Sequence, residues 1–217
     1  MTLPTPFRYQ KWKHVRRLKP GPYQNYRRYK PYLREEFHQK CIYCRLPDGL
    51  GATFGVEHYW PKERFPQLDA TYSNLFYACN RCNSLKRDYW PSLADLKKGI
   101  FVPNPCDHTM AAHLWYENAV VETKDVAGEF AESLLDLNDD ELVLYRDFII
   151  RCIHRAVVES RKIRATLSEI AKKRKLSNDG DRRQDLDAAR ADLEVELVRV
   201  IEDLRRLTGD KDVSLPK

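Results

Sequence analysis

The chain has 217 residues, of which 42% are hydrophobic and 32% are charged, and it carries a formal net charge of +6. This length suits one large domain or two small ones. No apolar run reaches the roughly 18 residues of a membrane span, and the basic N-terminus lacks the apolar core of a secretory signal. These features exclude membrane-spanning, collagen-like, disordered and small secreted proteins, and they predict a soluble cytoplasmic protein.

The first 34 residues form a basic and aromatic segment, which we expect to be an N-terminal arm. Residues 1–40 hold eleven basic side chains against two acidic ones. Such a concentration of positive charge is typical of a protein that binds a polyanion. The predicted nucleic-acid contacts of this segment are Arg16, Arg17, Arg27 and Arg28. The aromatic rings between them either stack on bases or pack on the body of the protein, and a merely solvated arm is the alternative.

Two identical CxxC motifs follow, at Cys41/Cys44 and Cys79/Cys82. A duplicated pair of this kind in an intracellular chain is typical of a tetrahedral zinc site. The alternatives are a redox motif, which would not normally occur twice, and disulfides, which a reducing compartment disfavours. We therefore predict a structural Zn²⁺ on these four cysteines, and we expect Cys106 and Cys152 to be small core residues.

The segment between and after the cysteine pairs predicts two strands and a helix. Residues 53–57 and 75–78 have the composition of short strands, and residues 80–88 have that of a helix that Trp90-Pro91 ends. The predicted order is therefore strand, loop, strand and helix, with a cysteine pair at each flank.

The remainder of the chain is predicted to be mainly helical. Residues 114–121 indicate a hairpin, and an apolar period close to 3.6 predicts helices over residues 139–175 and 182–208. Two such helices joined by a short polar loop form an αα-hairpin, whose faces either pack on the core or bind a partner or a second copy of the chain. The predicted fold class is α+β, and the predicted parts are an arm (1–34), a central domain (35–100) and a helical region (101–217).

The central segment also carries residue types that suit phosphodiester hydrolysis. Glu57 and Asn83 offer oxygen ligands to a hard divalent cation such as Mg²⁺. His58 could act as a general base on a water molecule beside such a cation. Since adjacent strand residues point to opposite faces, Glu57 and His58 share a site only if the strand ends there, as Pro61 indicates.

Taken together, the motifs of this segment resemble the HNH, or ββα-metal, endonucleases of the zinc-knuckle type. The pattern CxxC, acidic-His-x-x-Pro, Ser-Asn-Leu and CxxCNxxK occurs in order between Cys41 and Lys86. Two positions depart from the family pattern. Glu57 stands where Asp is commoner, and Asn83 stands where many members have His, but both can still ligate Mg²⁺.

The resemblance implies a small ββα-metal core and metal-dependent hydrolysis of DNA. In that scheme His58 is the general base, Glu57 and Asn83 hold a catalytic Mg²⁺ or Mn²⁺, and Asn74 braces the loop that orients His58. Lys86 and its neighbour Arg87 contact phosphate, although Lys86 could instead cap the fold. The family mostly cuts DNA, and RNA stays an open alternative.

A second resemblance concerns the segment after the central domain. The short motifs Asn104-Pro105-Cys106, Ala112-His113-Leu114 and Leu135-Asp136-Leu137-Asn138 resemble the tail of HNH proteins in bacterial anti-phage loci, including those of Septu and some retron systems. In such systems the nuclease works with an ATPase. This resemblance implies antiviral defence and an ATPase partner.

Two other functions stay open at this point. A zinc-knuckle nucleic-acid-binding module with a vestigial catalytic centre would need only the cysteines and the basic arm. An interaction protein would act through the helical hairpin. The joint presence of Glu57, His58 and Asn83 favours the nuclease, because neither alternative needs these three residues together.

Overall fold

The computed structural model describes residues 4–210 and shows a mixed helical and sheet fold. The strands are β1 (Phe54–His58), β2 (Leu75–Cys79), β3 (Leu114–Glu117) and β4 (Val120–Thr123). The helices are α1 (Lys30–Glu36), α2 (Asn80–Lys86), α3 (Leu93–Lys97), α4 (Val126–Leu135), α5 (Asp140–Leu176) and α6 (Gly180–Thr208). The expected α+β class agrees with this arrangement.

The centre of the fold is an antiparallel pair of strands, β1 and β2, followed directly by α2. Glu57 pairs with Phe76 and His58 pairs with Leu75 in the register of this sheet. Every residue of β2 is buried, as expected for a strand of Leu, Phe, Tyr, Ala and Cys that is covered on both faces. The chain passes from β2 to α2 without a loop, and the Cys79 sulfur accepts a hydrogen bond from the Cys82 N–H in the first turn of the helix.

The N-terminal segment belongs to the same core as the central sheet. Phe7, Tyr9, Tyr29 and Leu33 are buried in one hydrophobic cluster with the residues of β2. The predicted boundary between residues 34 and 35 falls inside α1. The segment packs here because a two-stranded sheet exposes more apolar surface than one short helix can cover, and its aromatic rings bury the remainder. The division of the chain into three parts stays a prediction.

Glu36, at the end of α1, holds this segment against the body. Its buried carboxylate accepts hydrogen bonds from the backbone N–H groups of Arg17 and Leu18, each at 2.9 Å, and from the Tyr72 hydroxyl at 3.2 Å. A fourth contact joins it to the His14 imidazole at 2.9 Å. Residues 14–18 have no regular secondary structure. The Glu36 carboxylate therefore accepts the Arg17 and Leu18 N–H hydrogen bonds that a backbone carbonyl would accept in a helix or a strand.

The C-terminal half consists of the β3–β4 hairpin, α4 and a long antiparallel helical hairpin. The predicted hairpin and both predicted long helices occur within a few residues of their expected bounds. Asp139 and Asp179 cap the N-termini of α5 and α6 through their side chains, and Gly209 ends α6 with a φ of 67°. The end of α6 returns to the central domain, where Asp210 forms an ion pair with Lys40 at 2.5 Å.

A buried arginine connects the helical hairpin to the cysteine-bearing turn. Arg146 of α5 donates to the Leu137 carbonyl at 2.6 Å and to the Tyr116 hydroxyl at 3.2 Å. That hydroxyl in turn donates to the Cys44 carbonyl at 2.8 Å. The C-terminal half is therefore tied to the central domain by hydrogen bonds as well as by apolar packing.

Among the helices of residues 4–210, none has an apolar stretch long enough to cross a bilayer.

Candidate metal centre and active site

The four cysteines of the CxxC motifs converge at one buried point. Cys41 and Cys44 lie in the turn after α1, while Cys79 ends β2 and Cys82 lies in the first turn of α2. Their sulfur atoms all lie within 4.8 Å of one another, and the Cys44 and Cys79 sulfurs are 3.7 Å apart. The turn and the strand–helix junction thus bring two ligand pairs to opposite sides of one position.

The chemistry of this cluster fits a soft divalent metal. Hydrogen bonds from the other three thiols lower the pKa of Cys79, and the contacts with Cys41 raise the pKa of Cys44 and of Cys82. Four buried sulfurs this close cannot all ionise unless a cation lies between them. Four thiolates in a tetrahedral set are the ligands of structural zinc, so the cluster could hold a metal such as zinc. Cys106 and Cys152 lie outside it, and both are half-buried.

His58 lies at the C-terminal end of β1, where the surrounding loop fixes its ring. Its Nε2 lies 2.9 Å from the Asp69 carbonyl oxygen and 3.2 Å from a carboxylate oxygen of the same residue. A carbonyl oxygen only accepts hydrogen bonds, so Nε2 carries the proton and Nδ1 is the basic nitrogen. The Tyr26 ring contacts the imidazole edge-on at 4.6 Å. Burial lowers the pKa of His58, which favours the neutral imidazole at physiological pH.

Asn74 holds the loop that carries Asp69. Its side-chain oxygen accepts from the Trp60 N–H at 2.8 Å, and its amide nitrogen donates to the carbonyls of Trp60 at 3.1 Å and Leu68 at 3.3 Å. One side chain therefore ties both ends of the loop between β1 and β2. Leu68, whose carbonyl accepts one of these bonds, directly precedes Asp69, whose carbonyl orients His58.

Glu57 points into the protein rather than towards open solvent. Its side chain is 2% exposed, and its Oε1 lies 2.7 Å from the Lys86 ammonium, which is itself 1% exposed. The Tyr43 hydroxyl donates to the same oxygen at 3.2 Å. Within the described residues Oε2 accepts no hydrogen bond. Burial raises the pKa of the Glu57 carboxyl, and the Lys86 ammonium and the Tyr43 hydroxyl oppose that shift.

Replacing Lys86 should expose how much this buried pair depends on its cation. In Lys86→Met the Glu57 carboxylate would stay buried without its counter-charge, and we expect the free energy of unfolding to fall by about 3–5 kcal/mol at neutral pH. The double variant Lys86→Met/Glu57→Gln should recover part of this loss. Urea unfolding of both variants measures the difference, and an unchanged midpoint for the single variant would contradict the assignment of a buried ion pair.

Asn83 meets β1 from the first turns of α2. A Cβ atom placed on Gly55 would lie at ordinary van der Waals distance, 3.6 Å, from the Asn83 amide nitrogen, so this side chain packs directly on β1. Within residues 4–210 the Asn83 amide makes no side-chain hydrogen bond. A surface depression of about 500 Å³ is lined by Glu57, His58 and Asn83 together. The structure therefore brings the three residues of the predicted catalytic set to one place.

The six residues predicted to contact nucleic acid have different surroundings. Arg17, Arg27, Arg28 and Arg87 are exposed, and Arg87 lines the depression beside Asn83. The guanidinium of Arg16 instead packs on the rings of Phe37, Tyr72 and Phe76 at 4.7–5.3 Å and donates to the Leu75 carbonyl at 2.7 Å.

Lys86 also differs from its expected position. Its ammonium faces Glu57 and the His58 carbonyl oxygen, the latter at 3.1 Å. The buried Lys86 ammonium therefore stabilises the fold, which is the alternative role given for it above. Arg87, its neighbour, is exposed and could reach a phosphate.

Three residues at this site escaped sequence reasoning. Tyr26 contacts the His58 ring, Tyr43 donates to Glu57, and Asp69 orients His58. Asp69 contacts His58 through both its backbone carbonyl and its carboxylate, and it lies eleven residues away in the chain, so no local pattern pairs the two. Tyr26 and Tyr43 stand in segments rich in aromatic residues, where no local pattern separates a site contact from ordinary packing.

Comparison with known proteins gives one informative likeness. A stretch of 126 residues, 56% of this chain, is 31% identical to the Septu protein PtuB of Bacillus thuringiensis and covers 47% of that protein. The chain therefore spans about half the length of the curated relative that it matches. No protein-family model matches the chain, and no solved structure matches it.

Proposed function

We propose that this protein is a metal-dependent endonuclease of the HNH, or ββα-metal, type that hydrolyses phosphodiester bonds of DNA. The observation that carries the proposal is the depression that these residues share. In it the neutral imidazole of His58, held by the Asp69 carbonyl, lies beside a carboxylate (Glu57) and an amide (Asn83) whose oxygens can ligate a metal ion. The order of β1, β2 and α2 around four clustered cysteines supports it.

His58 would act as the general base. Because Nε2–H donates to the Asp69 carbonyl, Nδ1 is free to accept a proton from a water molecule that attacks the scissile phosphorus. Asn74 would support this role indirectly, since it holds the loop that supplies the carbonyl. A positioned base typically contributes on the order of 10²–10⁴-fold in rate.

Glu57 and Asn83 would hold the catalytic Mg²⁺ or Mn²⁺. Carboxylate and amide oxygens are suitable ligands for these hard cations, and neither Oε2 of Glu57 nor the Asn83 amide has another hydrogen-bond partner in the described part of the chain. The chemistry supplied by such a cation is stabilisation of charge on the phosphate and the leaving oxygen. Lys86 and Tyr43 hold the opposite oxygen of Glu57 and so orient the carboxylate.

The likeness to a Septu protein supports a role in anti-phage defence. We propose that the nuclease acts with a partner protein of its defence locus, such as an ATPase, and that the α5–α6 hairpin offers a surface for that partner. Most side chains of this hairpin are exposed, and none of the residues that line the depression beside His58 belongs to it.

The direct test of the proposal is a plasmid-cleavage assay of the purified protein. We expect conversion of supercoiled DNA when Mg²⁺ or Mn²⁺ is added and none when these ions are omitted. If the protein alone is inactive, the assay is repeated with the protein encoded beside it. Inactivity under both conditions, together with tight DNA binding, would favour the alternative function of a nucleic-acid-binding module with a vestigial catalytic centre.

The exposed arginines of the N-terminal segment should bind phosphates. Reversal of Arg17, Arg27 and Arg28 to Glu is expected to weaken DNA binding and to reduce the slope of log affinity against log salt by roughly 0.9 for each phosphate that is no longer neutralised. Arg16 is left unchanged because its guanidinium packs on aromatic rings, and its reversal would destabilise the fold.

A matched control for this triple variant lies on α6. Reversal of the exposed Arg182, Arg190 and Arg199 changes the net charge equally, but on α6 rather than in the N-terminal segment. Fluorescence anisotropy with a labelled duplex at several salt concentrations measures both slopes. Equal slopes for the two triple variants would contradict a specific role of the N-terminal arginines.

A further inference from the structure

Trp12 is displayed on the surface although the surrounding aromatic residues are not. Its side chain is 66% exposed, whereas Phe7, Tyr9 and Tyr29 of the same segment are buried. Indole is the largest side chain, and leaving it in water forgoes a large gain from burial. Because tryptophan is highly buried on average, such exposure points to a binding surface.

The backbone on both sides of Trp12 is held in place. The Gln10 carbonyl accepts from the Ala111 N–H at 3.2 Å, and the His14 N–H donates to the Pro105 carbonyl at 2.6 Å. Glu36 then fixes the next residues through the N–H groups of Arg17 and Leu18. The ring is thus presented from an anchored backbone, so little ordering of the chain is needed when a ligand binds.

A groove of about 660 Å³ lies beside this ring, and its lining contains three cationic and three acidic side chains. Its lining includes Arg8, Lys13 and Arg17, and none of these three cations has an ion-pair partner among residues 4–210. The acidic residues that line the same groove are Glu35, Glu36 and Asp210. Asp210 is paired with Lys40, which does not line the groove, so the remaining lining carries three cations against two acids, and the groove has a net positive charge.

We propose that this groove binds single-stranded nucleic acid, with a base stacked on Trp12 and the phosphates held by Arg8, Lys13 and Arg17. The proposal rests on the proposed nuclease function and adds the form of nucleic acid that the protein holds outside the catalytic depression. An aromatic ring in a positively charged groove is the pattern by which proteins bind unpaired bases without regard to sequence. In a duplex the bases are stacked on each other and cannot reach the ring.

An acidic peptide is the competing ligand. It would satisfy the three cations, but it would leave the exposed indole without a partner. The ring therefore favours the nucleic acid, and the test separates the two ligands.

The experiment measures binding of fluorescently labelled oligothymidylate by anisotropy, with zinc-loaded full-length protein and without added Mg²⁺. Trp12→Ala should weaken binding about 5- to 150-fold, the range expected when one stacked base loses its ring. Trp12→Phe should keep most of the affinity. Val15→Ala is the matched control, because Val15 lines the same groove and is 76% exposed but has no ring. Quenching of tryptophan emission by the oligonucleotide should be smaller in Trp12→Phe than in wild type.

The outcomes distinguish this proposal from the proposed nuclease chemistry. Equal oligothymidylate affinity of wild type and Trp12→Ala would overturn the groove assignment, even if the protein cleaves DNA. An equal loss of affinity for duplex DNA and for oligothymidylate would also overturn it, because stacking on Trp12 requires unpaired bases. Quenching of the Trp12 emission by poly-glutamate, with no quenching by the oligonucleotide, would overturn the proposal and assign the groove to an acidic protein partner. A selective loss for the single strand supports the proposal whether or not cleavage is observed.

Discussion

His58→Ala is expected to lower the rate of DNA cleavage by about 10²–10⁴-fold while leaving DNA affinity and metal content unchanged. The rate should fall because Nδ1 of His58 is the general base that we propose for this reaction. DNA affinity and metal content should be unchanged because the ring lies at the edge of the core rather than within it. Single-turnover cleavage of a plasmid with Mg²⁺ present measures the effect. Where activity requires the partner protein, the partner is included at a saturating concentration.

Two further variants separate a chemical effect of His58 from a structural one. His154→Ala removes an exposed histidine of α5 and should cleave like wild type. Asn74→Ala removes three hydrogen bonds of the loop that orients His58, and we expect a smaller loss of rate together with a lower melting temperature. Cleavage by His58→Ala at the wild-type rate would show that another group is the base.

Cys79→Ser is expected to remove the structural metal and to unfold the central domain. Cys79 joins β2 to α2 and its sulfur lies among the other three, so the substitution breaks the ligand set, while the serine hydroxyl can still cap the first turn of α2. In small domains binding of structural zinc contributes on the order of 10–16 kcal/mol to the folded state, which is comparable to the whole stability of a domain. Elemental analysis should give about one zinc per wild-type chain and far less in the variant.

Cys152→Ser is the matched control for this change. Cys152 is a half-buried cysteine of α5 that lies outside the cluster, so its substitution should preserve the zinc content and the melting temperature within a few degrees. A chelator should lower the melting temperature of this control and of wild type alike. Full zinc content in a folded Cys79→Ser protein would contradict the metal centre.

Local sequence patterns were sufficient for most of the secondary structure. The apolar period of 3.6 predicted both helices of the hairpin, and β-branched and aromatic runs predicted β1 to β4 close to their observed bounds. The short helices α1, α3 and α4 were not predicted. They contain five to ten residues, too few turns for an apolar period to stand out, and their stability comes from packing rather than from propensity.

That the candidate catalytic residues meet could likewise be expected from spacing, because they lie at the junctions of one short supersecondary unit. Glu57 and His58 end β1, and Cys79 to Asn83 span the junction of β2 with α2. Pairing of the two strands and packing of the helix bring the residues at these junctions together, independently of the fold of the remaining chain. This is why four cysteines and three candidate catalytic residues could be expected to meet before the fold was known.

Only the tertiary structure decided which charges are buried and which are exposed. The sequence marks Arg16 and Arg17 as equivalent, yet one guanidinium packs on three rings and the other is exposed. It likewise does not show that Lys86 turns inward to Glu57. The physical reason is that a charged side chain enters the interior only where a specific partner offsets its loss of water, and such partners here lie far away in the chain. Local sequence determined most of the elements and the four clustered cysteines that could hold a metal, whereas these distant contacts decided the electrostatics of the candidate site.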